Sequence, residues 1–500
     1  MNASVDRDRS EWDVIVLGGG PAGENAAQYA TQFSGLDAVI VENELLGGEC
    51  SYWACMPSKA LLRPVELLST ARDLPGLREL VGDRGLDVGA ILEHRDRVVN
   101  HLDDSGQVGW AEGIGVGVVR GMGRLDGERA VVVTGPDGGE RRLTARHAVV
   151  LGTGSHPRIP PVPGLREARP WTSRDVTNLH EVPERVVVIG GGVVACESAT
   201  WLSGLGVSRV TLVHRGSRLL GRVEPFAGEL IADALRERGV DVRLETSAAS
   251  VRRREVAEPV EGRVHGGEVT VDLSDGSTVV ADEIVVATGR APRTEGIGLE
   301  TVGLDGGGPI EVDDHLTVTG VEGGWLYAIG DVNGRSALTH MGKYQGRIAG
   351  SVIAARAAGR PLEDTPFTPH EDLADRGAVP QVIFTDPEVG AVGLTEAQAR
   401  DQGLDVETAE FDMANLAGTY VMREHYKGRA KLVVDRSAGV VVGATFAGGG
   451  AAELTHSATM AVVGKIPIAA LWHAVPSFPT VSEVWLRLLE TIAANRHGSA

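Results

Sequence analysis

The sequence predicts an α/β fold, and three observations support this class. Short apolar runs typical of buried parallel strands are followed by a glycine-rich turn and a helical segment. This unit occurs twice, near the N-terminus and again from residue 185. Aromatic residues make up only 4% of the chain while glycine occurs 67 times, which favours tightly packed α/β units over a large all-β shell. A chain of this length divides into about two to four domains.

The first unit runs from residue 13 to residue 42. It consists of a strand at residues 13–17, a glycine turn at residues 18–23, a helix at residues 24–33 and a strand at residues 38–41. Gly18, Gly20 and Gly23 let the backbone approach a pyrophosphate at the start of the helix. Glu42 ends the second strand, where a carboxylate accepts a hydrogen bond from an adenosine ribose. The unit therefore predicts a dinucleotide-binding site.

The second unit repeats this order. It has a strand at residues 185–189, a glycine turn at residues 190–195, a helix to about residue 205 and a strand at residues 209–213. Gly190, Gly192 and Val193 occupy the positions at which the backbone would contact a second pyrophosphate. The repeat predicts a second nucleotide site.

Basic residues stand at the end of the last strand of this second unit. His214 and Arg215 are there, with Arg218 and Arg222 nearby. An acid at this position would repel a ribose 2′-phosphate, whereas arginines pair with it. The sequence therefore favours NADPH over NADH. The alternative is that these arginines form a solvated loop face.

Three further strands end in residues that suit a nucleotide site. They are predicted at residues 148–151, 283–287 and 326–329, and a helix follows from about residue 341. The first leads into Thr153 and Gly154, and the second leads into Gly289. The third ends in Gly330 and Asp331, whose carboxylate is placed to bond a ribityl or phosphate-side hydroxyl.

The pattern changes after a proline-rich linker at residues 361–369. Alternating apolar and polar residues predict antiparallel strands at residues 431–435 and 439–444. Helices are predicted at residues 451–463 and 481–494. The C-terminal part is therefore expected to be an α+β domain.

Two of the three cysteines, Cys50 and Cys55, lie just after the first unit. In a regular helix, residues five apart have Cα atoms roughly 8.6 Å apart, whereas a disulfide needs about 4.4–6.8 Å. The pair can bond only if the first helical turn is distorted. Pro57, which lacks a backbone N–H, and two glycines before Cys50 allow such a distortion. The alternative is a pair of buried, reduced cysteines.

Composition excludes several classes of partner. The formal net charge of −20 argues against nucleic acid and anionic membranes. No apolar run reaches the roughly eighteen residues that a spanning helix needs, and the charged N-terminus shows no signal peptide. Three cysteines in 500 residues do not form a secreted disulfide framework. A cytoplasmic enzyme acting on a small molecule is expected.

Taken together, these motifs resemble the flavin-dependent pyridine nucleotide-disulfide oxidoreductases, the group of dihydrolipoamide dehydrogenase, glutathione reductase and mercuric reductase. The resemblance covers residues 12–490 and depends most on four segments. These are the Cys50/Cys55 run with Pro57-Ser58-Lys59, the run Ala287-Thr288-Gly289-Arg290, Gly330-Asp331 and the segment from Pro380 to Gly390.

The resemblance implies two Rossmann-like nucleotide-binding domains, for FAD and NAD(P), and a C-terminal α+β dimerisation domain. The implied domain ranges are 1–155 and 286–360 for FAD, 156–285 for NAD(P) and 361–500 for dimerisation. A homodimer with an active site shared across the interface is expected. The implied FAD contacts are Gly18, Gly20, Gly23, Glu42, Gly48, Lys59, Thr153, Gly154, Gly330 and Asp331. The implied NAD(P) contacts are Gly190, Gly192, Val193, Glu197, His214, Arg215, Arg218 and Gly289.

The resemblance also implies a route for hydride from NADPH through FAD to a disulfide between Cys50 and Cys55. Cys55 is expected against the flavin ring and Cys50 as the outward, exchanging thiolate. Lys59 would supply positive potential, paired with Glu197. Cys196, beside Glu197, is expected to be a small apolar packing residue.

The chain departs from the family pattern near its C-terminus. Thiol reductases of this family carry a His-Glu pair there, whose histidine protonates the departing thiol. Glu483 aligns with the glutamate and is the fifth expected catalytic residue, but Phe478 stands at the histidine position. His473 and His456 are the alternative acids, although both are expected to be packing or surface residues. Mercuric-reductase-like members also lack this histidine, but the cysteine pair that they carry at the C-terminus is absent after Cys196.

Three hypotheses follow. The first is an NADPH-dependent flavoprotein that reduces a small electrophile through Cys50 and Cys55, such as a disulfide, an oxidised thiol species, a quinone or a soft metal ion. The second is a dihydrolipoamide dehydrogenase that uses NAD and another proton donor. The third is a flavin-binding protein in which catalysis has lapsed.

Overall fold

The structure is a computed structural model that describes residues 9–363 and 365–498. Residues 1–8, 364 and 499–500 belong to the predicted N-terminal segment, linker and C-terminal domain, and they lie outside the described residues. The strands are β1 (Glu11–Leu17), β2 (Ala38–Glu42), β3 (Val116–Arg120), β4 (Met122–Leu125), β5 (Ala130–Thr134), β6 (Glu140–Leu151), β7 (Ser155–Pro157), β8 (Arg185–Ile189), β9 (Arg209–Val213), β10 (Asp241–Arg243), β11 (Ala248–Arg253), β12 (Val269–Leu273), β13 (Thr278–Ala281), β14 (Glu283–Val286), β15 (Arg290–Pro292), β16 (Leu326–Ala328), β17 (Pro380–Ile383), β18 (Val389–Gly393), β19 (Val406–Asp412), β20 (Arg429–Asp435) and β21 (Val440–Ala447).

The helices are α1 (Pro21–Thr31), α2 (Gly48–Tyr52), α3 (Cys55–Arg72), α4 (Leu77–Val81), α5 (Val88–Val98), α6 (Ser105–Gly113), α7 (Ser173–Thr177), α8 (Val193–Gly204), α9 (Pro225–Glu237), α10 (Thr339–Ala357), α11 (Glu396–Asp401), α12 (Ala417–Tyr420), α13 (Ala451–Val463), α14 (Ile468–Leu471) and α15 (Val484–Gly498). Short 3-10 helices cover Asn100–Leu102, Leu299–Val302, Gly330–Asn333, Ala374–Arg376, Met413–Asn415 and Val481–Glu483.

Most predicted elements are present, and the differences lie in the limits of several strands and helices. Strands β8 and β9 and helix α13 have the predicted limits. Helix α1 begins at Pro21 instead of Glu24, because proline has a suitable φ and its missing N–H has no intrahelical partner at this position. The last helix begins at Val484, since the three residues before it form a 3-10 turn.

The chain divides into two compact units. The first comprises the described residues up to 56 together with 96–156 and 290–376. It contains a seven-stranded sheet in the order β3-β2-β1-β6-β5-β4, with β16 also paired to β6. Strands β1, β2, β3, β6 and β16 run parallel, and β4 and β5 are antiparallel. The parallel strands are buried on both faces, which explains their continuous apolar sequences.

Helices α1 and α10 pack closely within this first unit. A Cβ added at Gly346 would lie 2.4 Å from the carbonyl oxygen of Ala22, and one added at Gly350 would lie 2.7 Å from the amide nitrogen of Ala30. Glycine at these positions lets the two backbones approach. The start of α10 is thereby held beside the start of α1.

The second unit comprises residues 57–95, 157–289 and 377–498. It contains a parallel sheet in the order β10-β9-β8-β14, an antiparallel sheet β11-β12-β13 and an antiparallel sheet β17-β18-β21-β20-β19. The α/β fold class is thus confirmed, whereas the four domain ranges predicted from the sequence stay predictions. Within the described residues, the helices are too short or too polar to cross a bilayer.

Candidate active site

The first glycine turn, in the first unit, has the geometry of a phosphate cradle. Gly18 has a φ of +101°, and a Cβ there would lie 2.3 Å from the carbonyl oxygen of Gly152. A Cβ at Gly23 would lie 2.0 Å from the carbonyl oxygen of Gly18. Gly20, at the N-terminus of α1, has no described atom within 4 Å of such a Cβ. Two glycines are therefore needed for packing, while the third leaves an open space at a helix N-terminus, where a pyrophosphate binds favourably.

Glu42 closes this turn at the end of β2. Its carboxylate accepts hydrogen bonds from the backbone N–H of Gly19 at 2.6 Å and of Glu44 at 2.7 Å. Burial raises the pKa of Glu42, although these two N–H groups oppose the rise. A cavity of about 480 Å³, lined by Gly18, Glu42 and Thr153, opens beside it. This volume is within the range of small-molecule sites, so the residues present fit the adenosine end of FAD.

The other predicted FAD contacts of the first unit lie around the same turn. A Cβ at Gly48 would lie 2.8 Å from the Cα of Gly20, and one at Gly330 would lie 3.2 Å from the Cβ of Ala22. Gly154 has a φ of +73° and open space around it. Lys59 is the one predicted FAD contact that belongs to the second unit.

Asp331 is held by residues that the sequence did not indicate. Its carboxylate accepts a hydrogen bond from the hydroxyl of Ser155 at 2.5 Å, and Arg290 donates to the same hydroxyl at 2.6 Å. The N–H of Gly330 donates to the side-chain oxygen of Gln345 at 2.7 Å. These bonds fix the turn that carries Asp331. The one sequence signal for Gln345 is a glutamine on a predicted helix face whose other residues are small or apolar. A glutamine buried on such a face needs a hydrogen-bond partner.

The second glycine turn, in the second unit, repeats the first. Gly190 has a φ of +140°, and a Cβ there would lie 2.3 Å from the carbonyl oxygen of Ala287. Gly192 precedes Val193 at the N-terminus of α8, and no described atom lies within 4 Å of its Cβ position. Gly289, with a φ of +111°, also faces open space. The residues fit a second dinucleotide.

Basic side chains border this second turn, as predicted. A Cβ at Gly191 would lie 2.4 Å from the ring of His214. Burial lowers the pKa of His214, and the charge of Arg215 adds to this effect. In the described part of the chain, Arg215 and Arg218 form no ion pair, and the Arg218 guanidinium donates to the carbonyl oxygen of Gly221 at 3.1 Å. Both guanidinium groups are therefore available to an anion.

The cysteine pair lies where a helix is interrupted. Cys50 is in α2 and Cys55 begins α3, with Trp53 and Ala54 between the two helices. The helix is thus interrupted between the two cysteines, and their side chains contact each other without a disulfide bond. The disulfide between them stays a prediction. The hydroxyl of Thr339 lies 3.2 Å from the Cys55 sulfur.

The two thiols are not equivalent. The hydrogen bond with Cys55 raises the pKa of Cys50, and burial adds to the rise, while the Thr339 hydroxyl and the Lys343 ammonium oppose it. Because the two sulfurs share this hydrogen bond, loss of a proton is a property of the pair and not of either cysteine alone.

Lys59 and Glu197 form the expected ion pair within the second unit. The ammonium lies 2.9 Å from Glu197 Oε2, and Glu197 Oε1 accepts a hydrogen bond from the N–H of Phe384 at 2.9 Å. The Glu197 side chain is 5% exposed and that of Lys59 is 34% exposed. The Phe384 ring lies 4.7 Å from the ammonium. Cys196 is fully buried among apolar residues, as predicted.

The C-terminal candidates lie in the second unit, whereas the cysteine pair lies in the first. Glu483 is buried and accepts a hydrogen bond from the Arg487 side chain. The sequence did not indicate Arg487, although its spacing of four residues from Glu483 is typical of a side-chain pair on a helix. Phe478 is 75% exposed, and His456 and His473 are exposed. Phe478, His456 and His473 therefore do not pack in the core of a single subunit.

Comparison with known proteins decides the family. The family model described as pyridine nucleotide-disulphide oxidoreductase matches residues 12–346, and the model of the family's dimerisation domain matches residues 379–488. This chain belongs to the pyridine nucleotide-disulfide oxidoreductase family. The family is FAD-dependent and uses a pyridine nucleotide, so the predicted enzyme class and these two kinds of cofactor are confirmed.

Relatives with different names are equally similar to this oxidoreductase. The dihydrolipoyl dehydrogenase of Bacillus subtilis is 31% identical, with 96% of each chain covered. The glutathione reductase of Burkholderia cepacia is 31% identical, covering 96% of this chain and 98% of the relative. The mercuric reductase of Streptomyces lividans is 32% identical, covering 92% and 93%. Similarity alone therefore does not select the acceptor.

Solved structures show the same fold. LpdA from Mycobacterium tuberculosis has 25% identity and a TM-score of 0.79, with 97% of this chain and all of that chain covered. The HOCl-induced flavoprotein disulfide reductase RclA from Escherichia coli, as its Cu(II) complex, has 23% identity and a TM-score of 0.80, with 96% and 99% covered.

The two kinds of glycine in the first turn give a test of the FAD site. We expect Gly20→Ala to change the free energy of unfolding of the apoprotein by less than about 1 kcal/mol, the cost of a poorer N-terminal cap. Its methyl group enters the open space, so FAD affinity should fall at least about tenfold. Gly18→Ala is the matched control, which should destabilise the apoprotein itself because of its φ and the contact with Gly152. Urea unfolding and flavin fluorescence measure the two effects, and unchanged FAD affinity of Gly20→Ala would contradict the assignment.

Proposed function

We propose that this enzyme passes reducing equivalents from NADPH, with bound FAD, to the Cys50–Cys55 pair and on to a small electrophilic acceptor. The observation that carries the proposal is the contact between two cysteines at a helix break, with the Thr339 hydroxyl 3.2 Å from the Cys55 sulfur. Bound FAD would supply the two-electron chemistry between the nicotinamide and the sulfur pair. The family match supports both cofactors.

In this proposal each residue of the pair has one task. Cys55 is proposed to form the thiolate that faces the flavin. The Thr339 hydroxyl lies 3.2 Å from its sulfur, where it would donate a hydrogen bond to a thiolate. Cys50 exchanges with the acceptor. Lys59, four residues after Cys55 on α3, is proposed to supply positive potential, with Glu197 holding its ammonium.

The acceptor is proposed to be a disulfide, an oxidised thiol species, a quinone or a soft metal ion. Phe478 stands where the thiol reductases carry a proton-donating histidine, and a phenyl ring holds no transferable proton. An acceptor that needs little help from that position is therefore favoured. Glu483 is proposed to keep a structural role near it.

Anaerobic titration with NADPH tests the proposal. The oxidised enzyme should take up NADPH and develop a long-wavelength absorption band from the Cys55 thiolate against the flavin. The matched control is Cys196→Ser, which changes only a buried packing residue and should leave the band unchanged. An enzyme that shows no such band and behaves identically after Cys55→Ser does not use the cysteine pair.

NADPH is proposed over NADH because two arginines without ionic partners border the second glycine turn. We expect Arg215→Ala combined with Arg218→Ala to lower kcat/KM for NADPH by about 100-fold, the loss of one or two charge-assisted hydrogen bonds at about 1.5–3 kcal/mol each. The value for NADH should change less than threefold in this variant. Steady-state kinetics with both nucleotides measure the ratio, and an equal loss for both would mean that the arginines do not bind the 2′-phosphate.

A second candidate is a dihydrolipoamide dehydrogenase that uses NAD. The relatives named dihydrolipoyl dehydrogenase, at up to 31% identity over most of the chain, favour it. Turnover of dihydrolipoamide with NAD near about 10 s⁻¹, the median for enzymes, would support this candidate over the first.

A homodimer with the active site shared between subunits is also proposed. The dimerisation-domain match supports it, as do the exposed apolar side chains of Trp472, Val475 and Phe478 within that C-terminal region. A cytoplasmic location is proposed from the low number of cysteines.

A further inference from the structure

Three helices of the first unit begin around the cysteine pair. Helix α2, which carries Cys50, starts against the first glycine turn, since a Cβ at Gly48 would lie 2.8 Å from the Cα of Gly20. Helix α10 starts at Thr339, whose hydroxyl hydrogen-bonds to the cysteine pair. Helix α1 starts just after Gly20 and packs on α10 through Gly342 and Ala22.

Two charged residues lie one turn beyond these helix starts, Glu24 in α1 and Lys343 in α10. The N–H of Glu24 donates to the carbonyl oxygen of Gly20 at 3.0 Å, which places Glu24 one turn beyond the contact with α2. Lys343 follows Thr339 by four residues and therefore lies on the same side of α10. The Lys343 ammonium acts electrostatically on both Cys50 and Glu24. Glu24 and Cys50 thus share one electrostatic neighbourhood.

The Glu24 carboxyl is half-buried and makes no hydrogen bond or ion pair within residues 9–363 and 365–498. Three ionisable groups face it: Lys343 of α10, Glu42 of β2 and Tyr52 of α2. Burial raises the pKa of Glu24 to about 7, the Lys343 charge opposes this rise and the Glu42 charge adds to it. A carboxyl group half-protonated near neutral pH is suited to general acid catalysis.

We propose that Glu24 is the acid that protonates the departing thiolate at Cys50, and that the acceptor is a disulfide. This inference rests on the proposed function and narrows its acceptor class. It supplies from within the first unit the proton that Phe478 cannot donate. Lys343 stabilises the Glu24 carboxylate once its proton has left.

The exchange step balances with these groups. The reduced pair holds one proton in the hydrogen bond between its sulfurs. The Cys50 sulfur leaves this proton on Cys55 and attacks one sulfur of the acceptor, so a Cys50–acceptor disulfide forms and the acceptor S–S bond breaks. The released thiolate takes the proton of Glu24. The Cys55 sulfur then attacks the Cys50 sulfur, the pair becomes a disulfide, and the second half of the acceptor leaves with the proton that Cys55 held. One electron pair has moved from the cysteine pair to the acceptor, and NADPH is the reductant that restores the dithiol.

The test compares two disulfides that differ in leaving group. With bis-hydroxyethyl disulfide, whose thiolate is a poor leaving group, Glu24→Gln should lower kcat/KM about 100-fold at pH 7, the usual contribution of a positioned acid. With the aromatic disulfide dithiobis-nitrobenzoate, whose thiolate leaves without a proton, the same variant should lose less than about threefold. Exposed Glu322 of the same unit provides the control, Glu322→Gln, which should affect neither substrate.

The pH profile gives a second measure. For wild-type enzyme and the aliphatic disulfide, kcat/KM should fall as pH rises through about 7, because Glu24 loses its proton. The fall should vanish in Glu24→Gln and return in Glu24→Asp. Independently of turnover, Lys343→Met in a Cys55→Ser background should slow alkylation of Cys50 by iodoacetamide at pH 7 about threefold, the effect of half a pKa unit.

Each outcome has one meaning. Equal loss with both disulfides would show a structural role for Glu24 and overturn the inference, as would no loss with either. In both cases the wild-type enzyme still reduces disulfides, so the proposed function stands. A wild-type enzyme that forms the long-wavelength band but reduces neither disulfide would overturn the acceptor class and the role of Glu24 together. Absence of the band would overturn the proposed function itself.

Discussion

Cys55→Ser should abolish reduction of disulfide acceptors, lowering kcat by at least about 10³-fold, as expected when one member of a catalytic unit is removed. A serine hydroxyl can form neither the thiolate nor the disulfide that the proposed function requires at this position. NADPH should still reduce the bound FAD, because the nucleotide sites do not include this side chain. Stopped-flow absorbance with NADPH, followed by a turnover assay, separates the two half-reactions.

Cys50→Ser provides the matched comparison, since it is equally inactive for a different reason. The Cys55 sulfur keeps the Thr339 hydroxyl 3.2 Å away, and the serine hydroxyl introduced at position 50 is a second donor to a thiolate. We therefore expect Cys50→Ser to show the long-wavelength band without any reductant, whereas Cys55→Ser should never show it. If the band instead followed Cys50, the roles of the two cysteines would be reversed.

Several strands and helices could be predicted from local patterns in the sequence. Strands β8 and β9 and helix α13 follow from apolar runs and turn residues that lie next to one another in the chain. The interruption between α2 and α3 lies where the requirements of a disulfide predicted a distorted helix.

The surroundings of the cysteines could not be predicted in this way. Thr339 is 284 residues from Cys55, and the contact depends on β16 pairing with β6, which carries the chain back to the first sheet. Lys343 and Glu24 are also separated by most of the chain, so neither shows a local pattern. The pairing of Lys59 with Glu197, 138 residues apart, came from the family resemblance and not from any feature of the two segments.

The Lys59–Glu197 pair predicts the second large effect, this time on stability. We expect Lys59→Met to lower the free energy of unfolding by about 3 kcal/mol at pH 8, the lower end for breaking a buried ion pair, since the lysine is partly exposed. The loss arises because the Glu197 carboxylate stays buried with only the N–H of Phe384 as a hydrogen-bond donor. Urea unfolding of the apoprotein measures it.

Two further variants show whether the uncompensated charge is the cause. Lys59→Met combined with Glu197→Gln should recover most of the loss, because the double variant leaves no buried charge. Lys427→Met is the matched control: it breaks the pair with Glu237, whose side chains are 57% and 59% exposed, and should cost less than about 1 kcal/mol. If the double variant were as unstable as Lys59→Met, the loss would come from packing of the lysine chain against Phe384 instead of from charge.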